Sequence, residues 1–373
     1  MFKILIKTQW LVKGTGQVHE RLPQLLDLLT AMDEEGHLTG AAQKLGISYR
    51  HAWRLVKLGS RIFGAPLVTM TRGRGTTLTL LGTKLLWANK RVGARLEPIL
   101  DSLASELEVE IERALTDTTA VLRIHASHGF AVETLRDFLA AKHVPIDLKY
   151  RGSMEALASL CRSNCELAGF HVPIGDLQPA VLSFCAKWLK PDQLVINLAT
   201  RRQGIIVPHG NPRKILSIRD LAQPGLRLVN RQLGSGTRVL LDLLLKRHNV
   251  DSRRIVGYDT GELTHAAVAA YIASGMADAG LGLEVAAKRF NLGFVPTVTE
   301  RYFFGCQENS LASPVVAEVL KILSSPEFKA AVNGLPGYDA CACGTVMRVA
   351  EAFADLPSER SKRRGLLTAA QKS

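Results

Sequence analysis

The stretch LVNRQLGSGTRVLLDLLLKRH, residues 228–248, joins an apolar strand-like run to a leucine-rich helical pattern through a loop of glycine and hydroxyl residues. Such a junction places free backbone amides and the positive end of a helix dipole beside the loop. GSGTR lacks the GxxxxGK[ST] spacing of a nucleotide P-loop and is not a dinucleotide fingerprint. The stretch therefore predicts a site for a small anion, with Arg231, Ser235, Gly236, Thr237 and Arg238 as candidate ligand-binding residues.

Strands and helices alternate in the sequence from residue 121 onward. VLRIHA at residues 121–126 and IDLKY at residues 146–150 are strand-like, and AVETLRDFLAA between them has a helical pattern. This alternation predicts an α/β domain with a mostly parallel sheet, whose ligands bind where strands end and helices begin. Serine and threonine are also ordinary helix caps, so each junction taken alone has a structural interpretation as well. The junctions add the candidate ligand-binding residues Ser127, His128, Ser153, Thr264 and His265.

The composition is that of a folded chain with an excess of basic residues. The chain has 373 residues, of which 47% are hydrophobic and 22% charged, and its formal net charge is +13. This length predicts two or three domains. No apolar run reaches the roughly 18–20 residues of a membrane span, and the first residues lack a secretory pattern, so we expect a cytoplasmic protein. The six cysteines are not spaced as a zinc site or a disulfide framework, so we expect reduced thiols and neither a metal nor a cofactor.

The positive charge is concentrated in one window of the sequence. Between Gly36 and Arg95 there is no aspartate or glutamate, whereas arginines and lysines recur throughout. An ordinary solvated surface mixes both signs of charge. The window therefore predicts binding to a polyanion such as double-stranded DNA.

Two short helices are predicted within this basic window. Thr39 can cap the first, Gly46 permits a tight turn, and Ser48 can cap a second helix from Tyr49 to about Ser60. Helices joined in this way are typical of a helix-turn-helix, whose second helix enters the major groove. The outer side of that helix supplies the candidate DNA-binding residues Ser48, Tyr49, Arg50, His51, Arg54 and Lys57.

A basic hairpin is predicted directly after the second helix. Two β-rich runs, 67–71 and 76–80, flank RGRG, so that Arg72 and Arg74 project from the tip. A hairpin in this position is a wing suited to phosphates or the minor groove. The elements LTGAAQKLGISYRHAWRLV, FGAPLV and RGRGTTLTLLG resemble the DNA-binding domain of the ModE family of molybdate-responsive regulators, which is itself similar to that of LysR-type regulators. The resemblance implies that residues 48–57 contact bases and phosphates and that Arg72 and Arg74 lie on the wing.

A long helix is predicted from Thr83 to Leu115. Val92, Leu96, Ile99, Leu103, Leu107 and Ile111 recur at steps of three or four. Such a stripe is typical of core packing or of a coiled-coil seam. The resemblance implies that this helix joins two subunits into a homodimer on a two-fold-related operator, with a tetramer as a further alternative.

The C-terminal part resembles a second family. RGSMEALASLCRSNCELAGFHVP, LVNRQLGSGTRVLLD and THAAVAAYIASGMADAGLGLEVAA are similar to the periplasmic-binding-protein-type domain that relates to molybdate-binding proteins. The resemblance implies two α/β lobes with a ligand in the cleft between them. It departs from the family at Gly129, where an acidic residue is expected.

The predicted architecture is thus α/β plus an all-α-rich winged helix. The boundaries are 1–82 for the winged helix-turn-helix, 83–116 for the linker helix, and 121–350 for the sensing domain, followed by a basic tail at 356–373. Within the sensing domain, lobe 1 comprises about 121–197 and 298–350, and lobe 2 comprises about 203–295.

The predicted function is a transcriptional regulator that senses a small oxyanion. Molybdate or tungstate is the first candidate effector, and formate or another small anion is an alternative. No GxSxG or HExxH motif is present, so we expect no enzymatic activity. The alternatives are an oxyanion-storage protein and an enzyme of molybdenum-cofactor metabolism, neither of which binds DNA specifically.

Overall fold

The computed structural model describes residues 3–13, 19–71, 75–115 and 121–354. Contacts divide the chain into two compact units. One unit is Ile6–Leu96, and the other contains the chain from Glu97 onward together with the first residues up to Leu5. The division falls inside the predicted linker helix.

The N-terminal unit contains three helices before the long linker helix. The elements in chain order are β1 (Leu11–Lys13), β2 (His19–Arg21), α1 (Pro23–Glu35), α2 (Leu38–Lys44), α3 (Tyr49–Phe63), β3 (Val68–Thr71), β4 (Gly75–Leu78) and α4 (Leu80–Leu115). The strand β3 pairs with β4 in an antiparallel hairpin, which is the predicted wing. The winged helix-turn-helix fold is therefore confirmed.

Local sequence signals explain most helix ends of this unit. Gly36, with φ of +74°, ends α1 in the left-handed conformation that glycine adopts without strain. The Ser48 hydroxyl accepts a hydrogen bond from the His51 amide at 3.2 Å and caps α3, as predicted. The prediction for Thr39 is wrong: α2 begins at Leu38 with the extended residue His37 as its N-cap, so Thr39 lies inside the first turn.

The C-terminal unit contains the rest of α4 and a mixed sheet with helices on its faces. Its first elements are β5 (Leu122–Ala126), α5 (Phe130–Ala141), β6 (Ile146–Tyr150), α6 (Ser153–Cys161), β7 (Leu167–Pro173), α7 (Gln178–Cys185) and β8 (Leu194–Val207). The next elements are β9 (Leu228–Arg231), α8 (Gly236–Arg247), β10 (Gly261–Glu262), α9 (His265–Ala273), β11 (Ala279–Leu283) and α10 (Glu284–Arg289). The last elements are β12 (Gly293–Cys306), α11 (Pro314–Ser324), α12 (Pro326–Asn333), β13 (Tyr338–Asp339), β14 (Val346–Arg348) and α13 (Val349–Ala352).

Two long strands connect the two halves of this sheet. The strand order is β10-β9-β11-β8-β12-β7-β5-β6, and β8 and β12 are antiparallel strands of 14 residues each. Lobe 1 contains the parallel strands β6, β5 and β7, and lobe 2 contains the parallel strands β10, β9 and β11. The register of β12 against β8 shifts between Pro296 and Val298, where the chain passes from lobe 2 to lobe 1. The predicted two-lobed α/β fold is confirmed.

Each lobe has its own apolar core. Leu122, Ile124 and Leu148 are buried in lobe 1 with Phe304 of β12. Leu228 and Leu281 are buried in lobe 2, among the leucines that α8 turns inward. A further buried cluster joins Phe130 of α5 in lobe 1 to Ile206 and Val229 of lobe 2, so the lobes also meet through apolar contacts. Within the described ranges, no helix is both long and apolar enough to span a bilayer.

Candidate functional site

The outer face of α3 presents the residues predicted to contact DNA. Ser48, Tyr49, Arg50, Arg54 and Lys57 are exposed, and His51 is half-buried. Ala52 and Val56 on the opposite face are buried against α1 and α2. The periodicity of one helix therefore separates a packed face from a polar and basic one.

Few carboxylates neutralise this basic face. Lys44 pairs with Glu34 and Glu35 at the edge of the unit. Within the described ranges no ion pair is formed by Arg50 or Lys57, and the Arg54 guanidinium contacts the His51 Nδ1 at 2.9 Å. These cations are therefore available to phosphates. Arg72 and Arg74 lie outside the described residues.

The second candidate site is a cleft of about 430 Å³ in the C-terminal unit. Four helices begin at this cleft: α5 and α6 of lobe 1, and α8 and α9 of lobe 2. First-turn amide groups of a helix have no partner within the helix and carry positive potential. The residues from these junctions that line the cleft are Ser127, His128, Gly152, Ser153, Ser235, Gly236, Thr237 and His265.

Hydroxyl groups line the cleft on both sides. Ser153 is 1% exposed, and its Oγ has no hydrogen-bond partner within the described chain. The Ser235 Oγ accepts from the Arg238 amide at 3.2 Å as the cap of α8 and can still donate its own proton. The Ser127 Oγ donates to the Tyr302 hydroxyl at 3.1 Å. The unpartnered Ser153 hydroxyl has the properties of a ligand donor, because buried polar groups normally have a partner.

A glycine allows two segments of this site to approach closely. A Cβ atom at Gly236 would lie 2.4 Å from Cε1 and 2.7 Å from Nε2 of His171. No other residue fits at this first position of α8 without displacing the imidazole. The second glycine of GSGTR is therefore required by packing.

Arg231 is a buried cation that pairs with no carboxylate among the described residues. It is 5% exposed and donates to the carbonyl oxygens of Glu262 at 3.2 Å and Leu263 at 2.8 Å, and to the side chain of Gln232 at 3.1 Å. Burial, and next the charge of Arg201, lower its pKa. A buried guanidinium held only by neutral acceptors is unfavourable until an anion arrives. Arg231 therefore gives the cleft a positive charge that no described carboxylate pairs with.

A second buried guanidinium is neutralised within the protein. The Arg201 Nε donates to Oε1 of Glu300 at 2.5 Å, and the His171 Nδ1 lies 2.9 Å from Oε2 of the same carboxylate. Burial alone would raise the pKa of Glu300, but the charges of Arg201 and His171 and the hydrogen bond from His171 lower it to about 2. Arg201 and Glu300 are register partners on β8 and β12, so this ion pair lies where the two lobes join.

The cleft histidines are held in the neutral form. Burial is the largest cause of the lowered pKa of His128, which falls to about 3, and the charge of Arg231 contributes next. The same two causes hold the pKa of His265 well below its ordinary value. A neutral imidazole has one donor and one acceptor nitrogen. These rings can therefore hydrogen-bond an anion without adding charge.

The structure brings together eight of the ten predicted ligand-binding residues: Ser127, His128, Ser153, Arg231, Ser235, Gly236, Thr237 and His265 line one cleft. Arg238 and Thr264 do not line it. The Arg238 guanidinium lies 3.9 Å from the centre of the Tyr258 ring and donates to the Tyr258 carbonyl at 2.8 Å. Thr264 is fully buried and caps α9 through the Ala267 amide at 2.8 Å. In this structure, therefore, the side chains of these two predicted residues do not face the cleft.

Sequence analysis missed the buried charges on the long strands. Arg201 lines the cleft and Glu300 supports it, yet both lie in extended segments without a local motif. The available signal was a charged residue inside an otherwise apolar strand, as in LATRRQGIIV and TERYFFGC. Among the described residues no cluster of three or more His, Cys, Asp or Glu side chains is arranged to hold a metal ion.

Comparison with known proteins gives the same two parts. Residues 136–324 match the PBP superfamily domain, and residues 23–83 match the bacterial regulatory helix-turn-helix protein of the lysR family. The uncharacterized protein YvgK of Bacillus subtilis is 31% identical over 200 residues, which are 53% of this chain and 64% of YvgK. The molybdenum-pterin-binding protein MopB of Rhodobacter capsulatus is 31% identical over 108 residues, which are 28% of this chain and 39% of MopB. The matches thus span less than two thirds of the length of either relative.

Among solved structures, similarity at low sequence identity extends over most of the chain. An OxyR mutant of Corynebacterium glutamicum is 16% identical, covers 84% of this chain and 95% of its own, and has a TM-score of 0.41. The chain belongs to the PBP superfamily and carries a regulatory helix-turn-helix domain of the lysR family.

Proposed function

We propose that this protein is a transcription regulator whose DNA binding responds to a small oxyanion, with molybdate or tungstate as the first candidate. The observation that carries the proposal is the cleft itself. Four helix N-termini and the uncompensated cation Arg231 face one cavity. Helix N-termini and a guanidinium each favour negative charge, and together they favour a compact anion.

The donors of the cleft favour an anion that has already lost its protons. Ser153, Gly236 and Thr237 offer hydroxyl and amide protons, whereas the buried carboxylate beside the cleft, Glu300, is paired with Arg201 and His171. The carboxylates that line the cleft, Glu106 and Glu155, lie beside Lys149 and Arg151. A protonated oxyanion needs an acceptor for its own hydroxyl, and an anion without protons does not. Molybdate, tungstate and sulfate meet this condition at neutral pH better than phosphate. The match to a molybdenum-pterin-binding protein supports molybdate over sulfate.

The DNA-binding part of the proposal rests on α3. We assign base and phosphate contacts to Ser48, Tyr49, Arg50, His51, Arg54 and Lys57, and further phosphate contacts to the wing arginines Arg72 and Arg74. The exposed and unpaired cations of α3 support this assignment.

We also propose a homodimer on a two-fold-related operator, with α4 as the seam. Ile99, Leu103, Leu107 and Ile111 are between 40% and 47% exposed, although they recur every four residues or so along one helix. An exposed apolar stripe of this length is typical of an unpartnered helix–helix interface. The boundaries predicted for the winged helix, the linker and the sensing domain remain part of this proposal.

Regulation would follow from linkage between the two sites. An anion that binds residues of both lobes favours their closed arrangement, and any closure that alters the dimer alters its fit to DNA. By reciprocity, operator DNA then changes the affinity for the anion by the same factor.

The test is an anion screen on the full chain, followed by DNA binding. Thermal unfolding and calorimetry with molybdate, tungstate, sulfate, phosphate and formate should show selective stabilisation, of about 2.7 kcal/mol at a hundredfold excess over Kd. DNA sites selected from a random pool should then bind with an affinity that depends on that anion. No response to any of the five would refute the oxyanion assignment.

Variants separate the two proposed activities. Arg50→Ala should weaken DNA binding and reduce the slope of log affinity against log salt by about 0.9, with no change in anion binding. Arg254→Ala removes the same charge from an exposed position of the sensing unit and serves as the control. DNA binding without a preferred site would instead support the storage alternative.

A further inference from the structure

The linker helix forms one wall of the anion cleft. Besides the junction residues of the two lobes, the cleft is lined by Pro98, Ile99, Ser102, Leu103 and Glu106 of α4. Ile99 and Leu103 are nearly half exposed, whereas Ser153, Arg231 and His265 are at most 5% exposed. The anion-binding groups therefore lie at the inner end of the cleft, and the apolar side chains of α4 lie at its mouth.

Two serines fix α4 to the segment that carries Ser153. The Ser102 Oγ accepts from the Tyr150 amide at 3.1 Å. The Ser105 Oγ accepts from the Leu148 amide at 2.9 Å and donates to the Ile146 carbonyl at 3.1 Å. The strand β6 is the edge of the sheet, so these hydroxyls replace a neighbouring strand. Only two residues separate Tyr150 from Ser153, so a displacement of α4 is passed directly to the cleft.

Carboxylates of α4 interact with arginines of both lobes. Asp101 forms an ion pair with Arg136 of lobe 1. Arg289 of lobe 2 lies over the Phe130 ring of lobe 1, 4.9 Å from its centre. Burial, and next the charge of Asp101, raise the pKa of Glu97, and the charges of Arg289 and Arg136 oppose this rise. A movement of one lobe relative to the other therefore alters the electrostatic environment of the helix at Glu97.

We infer that α4 is a component of the effector site, in which Ile99 and Leu103 close the mouth of the cleft over the bound anion. Because α4 continues into the N-terminal unit, anion binding then acts on this helix through direct contact. This inference rests on the proposed function. Ile99 and Leu103 also begin the apolar stripe proposed as the dimer seam, whereas Leu107 and Ile111 belong to the stripe and do not line the cleft. That difference within one helix allows the two roles to be tested separately.

A pair of charge substitutions at the mouth provides the test. In calorimetric titrations of the full chain with sodium molybdate at about 0.1 M salt, Leu103→Glu should weaken binding about tenfold and Leu103→Lys should strengthen it several-fold, because residue 103 lines the cleft and charges interact over a Debye length of about 10 Å at that ionic strength. The same two substitutions at Ile111 are the matched controls and should change the affinity less than twofold. Opposite shifts from opposite charges cannot come from misfolding or from general damage to the dimer.

A thiol-labelling measurement gives an independent readout. In a background with the exposed Cys161 and Cys341 replaced by serine, Leu103→Cys should react with a thiol reagent several-fold more slowly when molybdate is bound, and Ile111→Cys should react at an unchanged rate. Molybdate binding with equal effects at positions 103 and 111, or with none at 103, would overturn the inference and leave the proposed function intact. If the wild-type chain binds none of the screened anions, the proposed function fails, and the inference fails with it.

Discussion

Replacing Arg231 by glutamine removes the cleft cation that, within the described ranges, pairs with no carboxylate, and its effect on anion affinity can be worked out from its burial. Two unit charges 4 Å apart interact by about 1 kcal/mol in water and by about 4 kcal/mol at an effective dielectric constant near 20. Arg231 is 5% exposed, so the second value applies. Truncating one partner of a desolvated charge pair typically costs about 2–5 kcal/mol. Arg231→Gln should therefore raise Kd for the effector about thirtyfold to several thousandfold.

The stability of the empty protein should respond in the opposite sense. In the absence of an anion, the Arg231 charge is desolvated and held only by neutral acceptors, so its removal relieves an unfavourable term. Glutamine loses some of these hydrogen bonds, worth about 1 kcal/mol each, which offsets part of the gain. We expect the free energy of unfolding of the empty variant to remain within about 1 kcal/mol of the wild type, or to rise.

Calorimetry gives the affinity, and thermal unfolding with and without molybdate gives both stabilities. Arg254→Gln is the control, because Arg254 is an exposed arginine of the same lobe. Binding of molybdate to Arg231→Gln within threefold of the wild type would refute the role of Arg231 as the counter-charge. A variant that loses stability and affinity in parallel would show that Arg231 supports the fold instead.

Other predictions concern the groups around the cleft. Glu300→Gln should lower the free energy of unfolding at pH 7 by about 3–5 kcal/mol, because it leaves a buried guanidinium unpaired. The pKa of Glu300 is lowered from 4.5 to about 2. Denaturant titrations should therefore show the difference in stability between wild type and variant above pH 4.5, and its loss as the pH falls towards 2. Gly236→Ala should cost about 1–3 kcal/mol by overpacking, and His171→Ala in the same chain should recover part of that loss in thermal unfolding. The pKa of Glu133 is raised to about 7 by burial and the charge of Glu97, so the wild type should lose stability as the pH rises from 4.5 to 7. Glu133→Gln should therefore stabilise the protein by up to about 3 kcal/mol at pH 8 and leave it unchanged at pH 4.

Local signals in the sequence were sufficient to predict most helices and strands and most of the strand-to-helix junctions that line the cleft. Ser48 was predicted as a cap because a hydroxyl residue at this position satisfies the first amides of a helix, and capping was the structural alternative for junction residues such as Ser235; both accept such hydrogen bonds. The same signal could not show which side of a junction faces the cleft. Thr264 and Arg238 begin helices at the site, yet their side chains turn inward to a cap and towards a tyrosine ring.

The buried ion pair could not be predicted from local sequence. Arg201 and Glu300 are separated by 99 positions and meet only because β8 and β12 pair in antiparallel register where the lobes join.

The departure from the family pattern at Gly129 has a physical counterpart here. A Cβ at Gly129 would lie 3.1 Å from the Arg201 guanidinium, so an acidic residue there would compete for the cation that Glu300 neutralises.

Under the proposed function, the positive potential at the cleft favours closure of the two lobes around an anion and opposes closure of the empty cleft. Lobe 1 directs the N-terminal ends of α5 and α6 to the cleft, and lobe 2 directs those of α8 and α9 together with Arg231. All of these groups carry positive potential, so bringing the lobes together around an empty cleft places like potentials in a space that excludes water. An anion between them reverses the sign of this interaction and supplies the differential affinity for the closed state that a ligand switch requires. Because Glu300 neutralises Arg201 where the lobes join, the proposed function assigns to Arg231 the charge that favours closure, and Arg231→Gln should reduce the effect of any anion that still binds on the affinity for DNA.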